Sequence, residues 1–285
     1  MHIESDQEGY RSCVNNSTSC QAYITYQALQ DDTLQPVGLC FRLSVEQLAE
    51  ALQIAQYLSV ALDLFTSMDC ELSSVTYIVG LKACRGLASE KESDKGLYLE
   101  KGITIHKGVK EHGFKTDIVV ATNFLEMYSN CSSMHHAREV FESMFSQDAV
   151  AWNTLILGYV ENGDYAVAMD LFSIMDCEPN CVTYLAALKA CGGLASEPES
   201  EKQHHLQKGI GIHKKLQEGG FGSDIVVAIT LVDMYGECGS MQNARDVFDR
   251  MIQCNAVTWT SLILGYVGNG QCSEAMDLFA RMDCE

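Results

Sequence analysis

Apolar and polar residues alternate along the chain with a helical period, in stretches too short to stand alone. Between 149 and 180, Trp152, Leu155, Ile156 and Tyr159 recur at i, i+3, i+4 and i+7, which predicts one amphipathic helix. Asn162, Gly163 and Asp164 interrupt the pattern, with glycine where a helix commonly ends. Ala168, Leu171, Phe172 and Met175 then open a second stripe. The segment 118–148 repeats this form: Leu125 and Tyr128, a break from Asn130 to Ser133, then Ala137, Val140, Phe141 and Met144. In 181–224 the stripe of Tyr184, Leu188 and Cys191 gives way to a polar stretch, then to Ile210, Ile212 and His213, and closes at Gly219 and Gly220. Paired helices of this length leave an apolar stripe open, so neighbouring pairs are expected to stack. The expected fold is all-α, a right-handed superhelical solenoid of stacked helix-turn-helix repeats.

The pattern returns at a constant step. AlaLeuAspLeuPhe begins at 61, and the related AlaMetAspLeuPhe begins at 168 and again at 275. At the same step Thr76 and Tyr77 return as Thr183 and Tyr184, His106 as His213, and Trp152 as Trp259. When 148–178 is aligned with 255–285 without gaps, identical positions clearly outnumber differing ones. One such period is too long for a single helical pair, and the breaks divide it into one long hairpin and two shorter ones. The resulting division is 42–73, 74–117, 118–148, 149–180, 181–224, 225–255 and a partial 256–285, preceded by an irregular extension over 1–41.

Composition narrows the chemistry. Hydrophobic residues make up 47% of the chain, enough for a core, and no apolar run is long enough to span a membrane. Thirteen cysteines are unusual, but no CxxC pair is present, as a zinc site would require. Several cysteines recur with the repeat: Cys70, Cys177 and Cys284; Cys84 and Cys191; Cys131 and Cys238. That recurrence points to reduced thiols packed as small apolar side chains. No nucleophile or carboxylate constellation accompanies His106 or His213, and the adjacent pairs His135–His136 and His204–His205 diverge on a helix. No enzymatic activity, metal or cofactor is expected. The start of the chain, with Arg11 its one basic residue among Glu4, Asp6 and Glu8, fits neither a secretory signal nor a transit peptide.

The segment Val150 to Met175, reading Val-x-Trp-Asn-x-Leu-Ile-x-Gly-Tyr followed by Ala-x-x-Leu-Phe-x-x-Met, resembles the P-type motif of plant pentatricopeptide-repeat proteins. Val257 to Met282 resembles it again, with Thr260 in place of the Asn. Thr183, Leu188 to Cys191, Gly209 and Ile212–His213 resemble the longer L-type motif. Leu231 to Tyr235, Cys238–Gly239, Ala244–Arg245 and Val247–Phe248 resemble the short S-type motif. In these terms 42–73 is a degenerate P unit, 74–117 and 181–224 are L, 118–148 and 225–255 are S, and 149–180 and 256–285 are P. The order P, L, S resembles the subclass associated with organelle RNA editing. Members of that subclass often end in a deaminase-like domain needing H-x-E together with P-C-x-x-C; this sequence has no P-C-x-x-C and so lacks that combination. The chain, stopping at Glu285 within a repeat, is therefore expected to be a truncated member. The L units also carry polar insertions, Ser89–Leu99 and Ser196–Leu206, expected to form solvated loops.

The resemblance implies sequence-selective binding of single-stranded RNA, one base per repeat, in organelle RNA editing or processing. It also implies a mitochondrial or plastid location and a deaminase or other editing factor acting in trans. The fifth and last residues of a motif would read a base: Thr122 with Asp148, Asn153 with Asn180, and Ile229 with Asn255. Thr-Asp resembles a G reader and Asn-Asn a pyrimidine reader, while Ile229 discriminates poorly. The L units carry Ile78 with Asp117 and Leu185 with Asp224, which give no clear code. An aliphatic second residue would wedge between bases: Val75, Val119, Val150, Val182, Val226 and Val257. The competing explanation is that these valines simply begin the apolar stripe. Net charge of −19 runs against the basic footprint of an RNA binder. Lysines such as Lys82, Lys107, Lys189, Lys214 and Lys215 would have to supply a local positive field. The alternative function is a protein-interaction scaffold of the tetratricopeptide kind, for which the acidic charge suits a basic peptide.

Overall fold

The computed structural model of the protein describes residues 62, 65, 73–90, 92–113, 117–195, 199–251 and 253–282. The extension 1–41 and all of the 42–73 segment except Leu62, Phe65 and Ser73 lie outside the described residues. Twelve α-helices follow one another, with no strand among the described residues: α1 Ser74–Glu90, α2 Lys95–Glu111, α3 Ile118–Asn130, α4 Met134–Ser143, α5 Ala149–Glu161, α6 Tyr165–Ile174, α7 Cys181–Leu194, α8 Glu199–Glu218, α9 Ile225–Glu237, α10 Met241–Asp249, α11 Ala256–Gly268 and α12 Cys272–Arg281. They fall into two compact units, one ending at Ser146 and one beginning at Gln147.

Each odd-numbered helix begins a hairpin, and in five of the six an Asp or Asn caps its start. Asp117 and Asp224 each accept from two backbone N–H groups, of Val119 and Val120 and of Val226 and Val227. Asp148 accepts from Ala151 N–H. Asn180 and Asn255 form capping boxes with Thr183 and Thr258. Such caps are each worth about 0.5–2 kcal/mol, which fixes where these five hairpins start.

The four short hairpins end their first helix in the same way. Ser133, Asp164, Ser240 and Gln271 donate their backbone N–H to the carbonyls of Tyr128, Tyr159, Tyr235 and Tyr266, at 2.8–2.9 Å. This is the six-to-one bond of a Schellman turn, whose preceding residue must be left-handed. Gly163, Gly239 and Gly270 supply that conformation at φ +81, +77 and +73, and Ser132 adopts it at φ +56. The break read at Asn162–Gly163–Asp164 is therefore a helix stop enforced by backbone geometry.

Within the first unit α1 packs on α2 and α3, and α3 on α4; in the second, α5, α7, α9 and α11 stack in succession, and each also packs on its own partner helix. The stacked faces hold the core: Leu81, Cys84, Leu125 and Tyr128 in the first unit, and Leu155, Leu188, Cys191 and Leu231 in the second. Gly102 and Gly209 bring second helices close to the following hairpin, where a Cβ would run into Met127 and Met234 respectively.

The described residues of the polar insertions are helical rather than loops. Ser89 still belongs to α1, Glu92–Asp94 form a single 3-10 turn, and Lys95–Leu99 already belong to α2. In the second L-like segment the chain is helical from Glu199 onward. Glu, Lys and Gln are good helix formers, so their polarity marks a solvated helical face.

The recurrent thiols are buried. Cys84 and Cys191 are fully enclosed, and Cys131 and Cys238 nearly so. Burial pushes the thiols of Cys84 and Cys191 up to about 12, and those of Cys131 and Cys238 up to about 11. Cys177 is partly exposed, while Cys70 and Cys284 lie outside the described residues.

Candidate nucleic-acid interface

The second residue of five first helices projects into solvent. Val119, Val150, Val182, Val226 and Val257 are each 45–56% exposed, while the residues that follow them on the inner face are buried, Val120 and Val227 at 1%. Val75 is half-buried. About half of each of these five side chains is left in solvent. They sit in the first turn beside the capping Asp or Asn, so each first helix presents an apolar branch next to a polar cap.

Asn153 and Asn180 meet. Asn153 Nδ2 donates to Asn180 Oδ1 at 3.2 Å, and Thr183 Oγ1 donates to Asn153 Oδ1 at 2.6 Å. Asn180 Oδ1 also accepts from Thr183 N–H at 3.1 Å. Asn153 is only 8% exposed, whereas Asn180 is exposed. The acceptors of this pair are committed inward, and Asn180 Nδ2 is left to donate outward. Thr183, buried and known from the sequence only as a motif position, locks the pair; its place three residues after Asn180 is the capping-box spacing that signals this role.

Thr122 and Asp148 belong to different units. Thr122 Oγ1 donates to Ile118 O at 2.8 Å, so its remaining capacity is to accept. Asp148 is exposed and spends Oδ1 on Ala151 N–H. Ile229 is half-buried and Asn255 exposed; Asn255 is held in its capping box. In the L-like segments Ile78 and Leu185 are half-buried, and Asp117 and Asp224 serve as caps.

The lysines divide between first and second helices. Lys82 and Lys189 lie on first helices α1 and α7, but Lys107, Lys214 and Lys215 lie on second helices, and Lys214 faces Glu218 at 3.8 Å. The expected local positive field is therefore reduced to the first-helix lysines. His106 and His213 instead hold the following hairpin through the hydroxyls of Tyr128 and Tyr235, at 2.9 and 2.8 Å. Among the described residues no group of three or more His, Cys, Asp or Glu could hold a metal ion, and no helix is long and apolar enough to cross a membrane.

Stacked, capped helical hairpins with exposed first-turn positions define a helical-repeat protein. Residues 147–193 match the model of the PPR repeat family, and residues 226–255 and 257–285 match that of the PPR repeat; the chain carries pentatricopeptide repeats. A putative pentatricopeptide repeat-containing protein of Arabidopsis thaliana is 35% identical over 185 residues, covering 64% of this chain and 25% of that protein. A chloroplastic relative from the same plant is 34% identical over 189 residues, covering 65% of this chain and 34% of its own length. A mitochondrial one is 30% identical over 224 residues, covering 75% and 21%. The chain thus spans between a fifth and about a third of these relatives. The crystal structure of the maize pentatricopeptide repeat protein PPR10 aligns with 84% of this chain and 41% of its own, at 16% identity and a TM-score of 0.43.

Proposed function

We propose that the chain binds single-stranded RNA along the first turns of its first helices, one base per repeat, as part of organelle RNA editing or processing. The observation that carries this reading is the row of five exposed valines. An apolar side chain kept in water at the same place in five successive hairpins needs an external partner, and an unstacked base offers an apolar face. The capping residue beside each valine faces the edge of such a base. Asn180, with its donor outward, suits the O2, N3 or O4 acceptors of a pyrimidine. Thr122 and Asp148, both able to accept, suit the N1–H and N2–H donors of guanine. Ile229 has no polar group and leaves its repeat permissive, and the L-like pairs add little selectivity.

The order of long and short hairpins supports membership of the P, L, S subclass, and the chloroplastic and mitochondrial names of relatives support a plastid or mitochondrial location. Chemistry on the RNA would fall to a deaminase or other editing factor acting in trans. One observation favours the scaffold reading: net charge of −19 suits a basic peptide in the place of RNA.

Selection from a randomised single-stranded RNA pool at several salt concentrations tests the proposal. Enriched sequences with G followed by a pyrimidine, and a shallow salt slope set by few phosphate contacts, are expected. Absence of binding at low salt would overturn the RNA reading in favour of the scaffold.

A further inference from the structure

A cavity of about 450 Å³ opens between α8, the 3-10 turn Phe221–Ser223, α9 and the end of α10. His213, Leu216, Asp224, Leu231 and Arg250 are among the residues around it. Val227, Ala228 and Leu231 line it from α9. At 100° per residue these lie on the face opposite Val226 and Ile229, while Asp224, the cap beside Val226, and Ile225 lie where the cavity adjoins the proposed RNA-binding positions.

The repeat supplies a mould of what fills this place. One period earlier, at the step that relates His106 to His213, Phe124 stands where Leu231 stands, and Ser143 where Arg250 stands. The Phe124 ring packs on His106 with centroids 4.4 Å apart and planes tilted by 34°. In the second copy leucine replaces that ring, and His213 keeps its bond to Tyr235 without an aromatic partner from the Phe124 position. At the same step a cation is gained. Arg250 is exposed, and no carboxylate among the described residues lies within ion-pair distance of it. The Asp224 carboxylate is engaged by the N–H groups of Val226 and Val227. Burial, then the charge of Arg250, keeps His213 less basic than an ordinary imidazole, so Arg250 is the cation available there.

We infer that this cavity binds a single aromatic ring bearing a carboxylate, the ring replacing the missing phenyl against His213 and the carboxylate pairing with Arg250. A free aryl acid and the C-terminal phenylalanine of a peptide both present this chemistry.

The test is ligand-observed NMR on the full chain, with phenylacetate, phenylacetamide, and a short peptide ending in phenylalanine as acid or amide. Both acids are expected to bind and their amides to bind weakly. A tighter peptide acid identifies a chain terminus as the natural source, and a tighter phenylacetate a free metabolite. Leu231→Phe, which copies the first repeat, should abolish binding while leaving RNA affinity unchanged. Arg250→Ser should weaken the acids about tenfold, the scale of one charge-assisted pair, and remove the preference for acid over amide. If Leu231→Phe lowers the melting temperature too far to interpret, the acid-to-amide ratio in Arg250→Ser decides alone. Equal binding of acids and amides to the unmodified chain, no binding of either, or full binding to a folded Leu231→Phe variant would overturn the inference.

Discussion

His213 Nδ1 lies 2.8 Å from the hydroxyl of Tyr235, and Gln217 Nε2 lies 3.0 Å from the other ring nitrogen. An amide nitrogen can only donate, so His213 Nε2 accepts and Nδ1 carries the proton toward Tyr235. The imidazole is therefore held neutral. Burial, then the positive charge of Arg250, lowers its pKa from 6.5, while burial pushes Tyr235 up to about 12.

A pH dependence follows. As pH falls below 6.5 the unfolded chain takes up a proton at this histidine that the folded chain refuses. Stability contributed by neutral His213 is thus full above 6.5 and lost as pH falls from there toward the lower folded value. Asp233 and Glu237, on the same helix as Tyr235, are shifted upward by burial and act in the opposite sense in the carboxylate range. The difference between the unmodified chain and His213→Gln isolates the histidine. At pH 7.5 the variant should lose about 1 kcal/mol, the worth of one buried hydrogen bond. In urea titrations that gap should narrow between pH 6.5 and 5; a gap constant with pH would show that His213 does not titrate differently in the folded state.

The exposed valines permit a separation of folding from binding. Val150, Val182 and Val226 are about half exposed, so replacing them with serine should change stability by no more than about 0.5 kcal/mol each. If they wedge between bases, each loss of apolar contact should weaken RNA by several-fold, on the order of 1 kcal/mol. Filter binding of the triple variant Val150→Ser, Val182→Ser, Val226→Ser should therefore show a loss of about a hundredfold, with circular dichroism and melting unchanged. Undiminished affinity would remove the valines from the interface.

The same valines mark where sequence reading stops. Helical pairing was legible because apolar side chains recur every third and fourth residue and because Asn162–Gly163–Asp164 is an unmistakable stop. The polar insertions misled because charge was read as loop: Lys95–Leu99 are helical, and Glu and Lys favour a helix wherever no core competes. At the candidate site, Asn153 and Asn180 could be paired from the motif, but not the inward commitment of their acceptors. That depends on Thr183, whose hydroxyl reaches back to Asn153 on the preceding first helix. The lysines show a related limit. A charge stripe in sequence does not say which helix of a hairpin carries it, and Lys107, Lys214 and Lys215 fall on second helices.

Asn153→Asp tests the donor edge. The new carboxylate can still accept from the Thr183 hydroxyl, but its second oxygen confronts Asn180 Oδ1 where an N–H stood at 3.2 Å. Turning the Asn180 amide relieves that repulsion at the expense of its cap to Thr183 N–H. The expected result is a loss of about 1 kcal/mol in stability and a shift of preference between pyrimidines at that position, read by competition between RNAs differing in one base. An unchanged preference would dissociate the pair from base reading.

Thiol chemistry offers a direct check on the core. Cys254 and Cys272 are exposed, while Cys84, Cys131, Cys191 and Cys238 are buried with thiols at about 11 to 12. Only the thiolate reacts with an aromatic disulfide reagent. At pH 8 the four buried groups should therefore label at least about a hundredfold more slowly than the two exposed ones, and catch up only on unfolding. Peptide mapping after a timed pulse reads each site separately.

Ser132 and Gly239 occupy the same turn one repeat apart, and only one of them suits it. Both are left-handed, at φ +56 and +77, and both precede the Schellman bond from Ser133 or Ser240 to the tyrosine carbonyl. A Cβ in that region carries a steric cost that glycine avoids. The serine hydroxyl gains only an exposed contact from Lys95 Nζ at 3.1 Å, which offsets little in water. Against this, glycine adds entropy to the unfolded chain. Because the native backbone is already left-handed, relief of strain should win, and Ser132→Gly is expected to stabilise the protein by about 0.5–1 kcal/mol. The reciprocal Gly239→Ser should destabilise it by a similar amount. Paired urea denaturation of the two variants checks the sign at each turn, and a destabilised Ser132→Gly would mean that the Lys95 contact outweighs the strain.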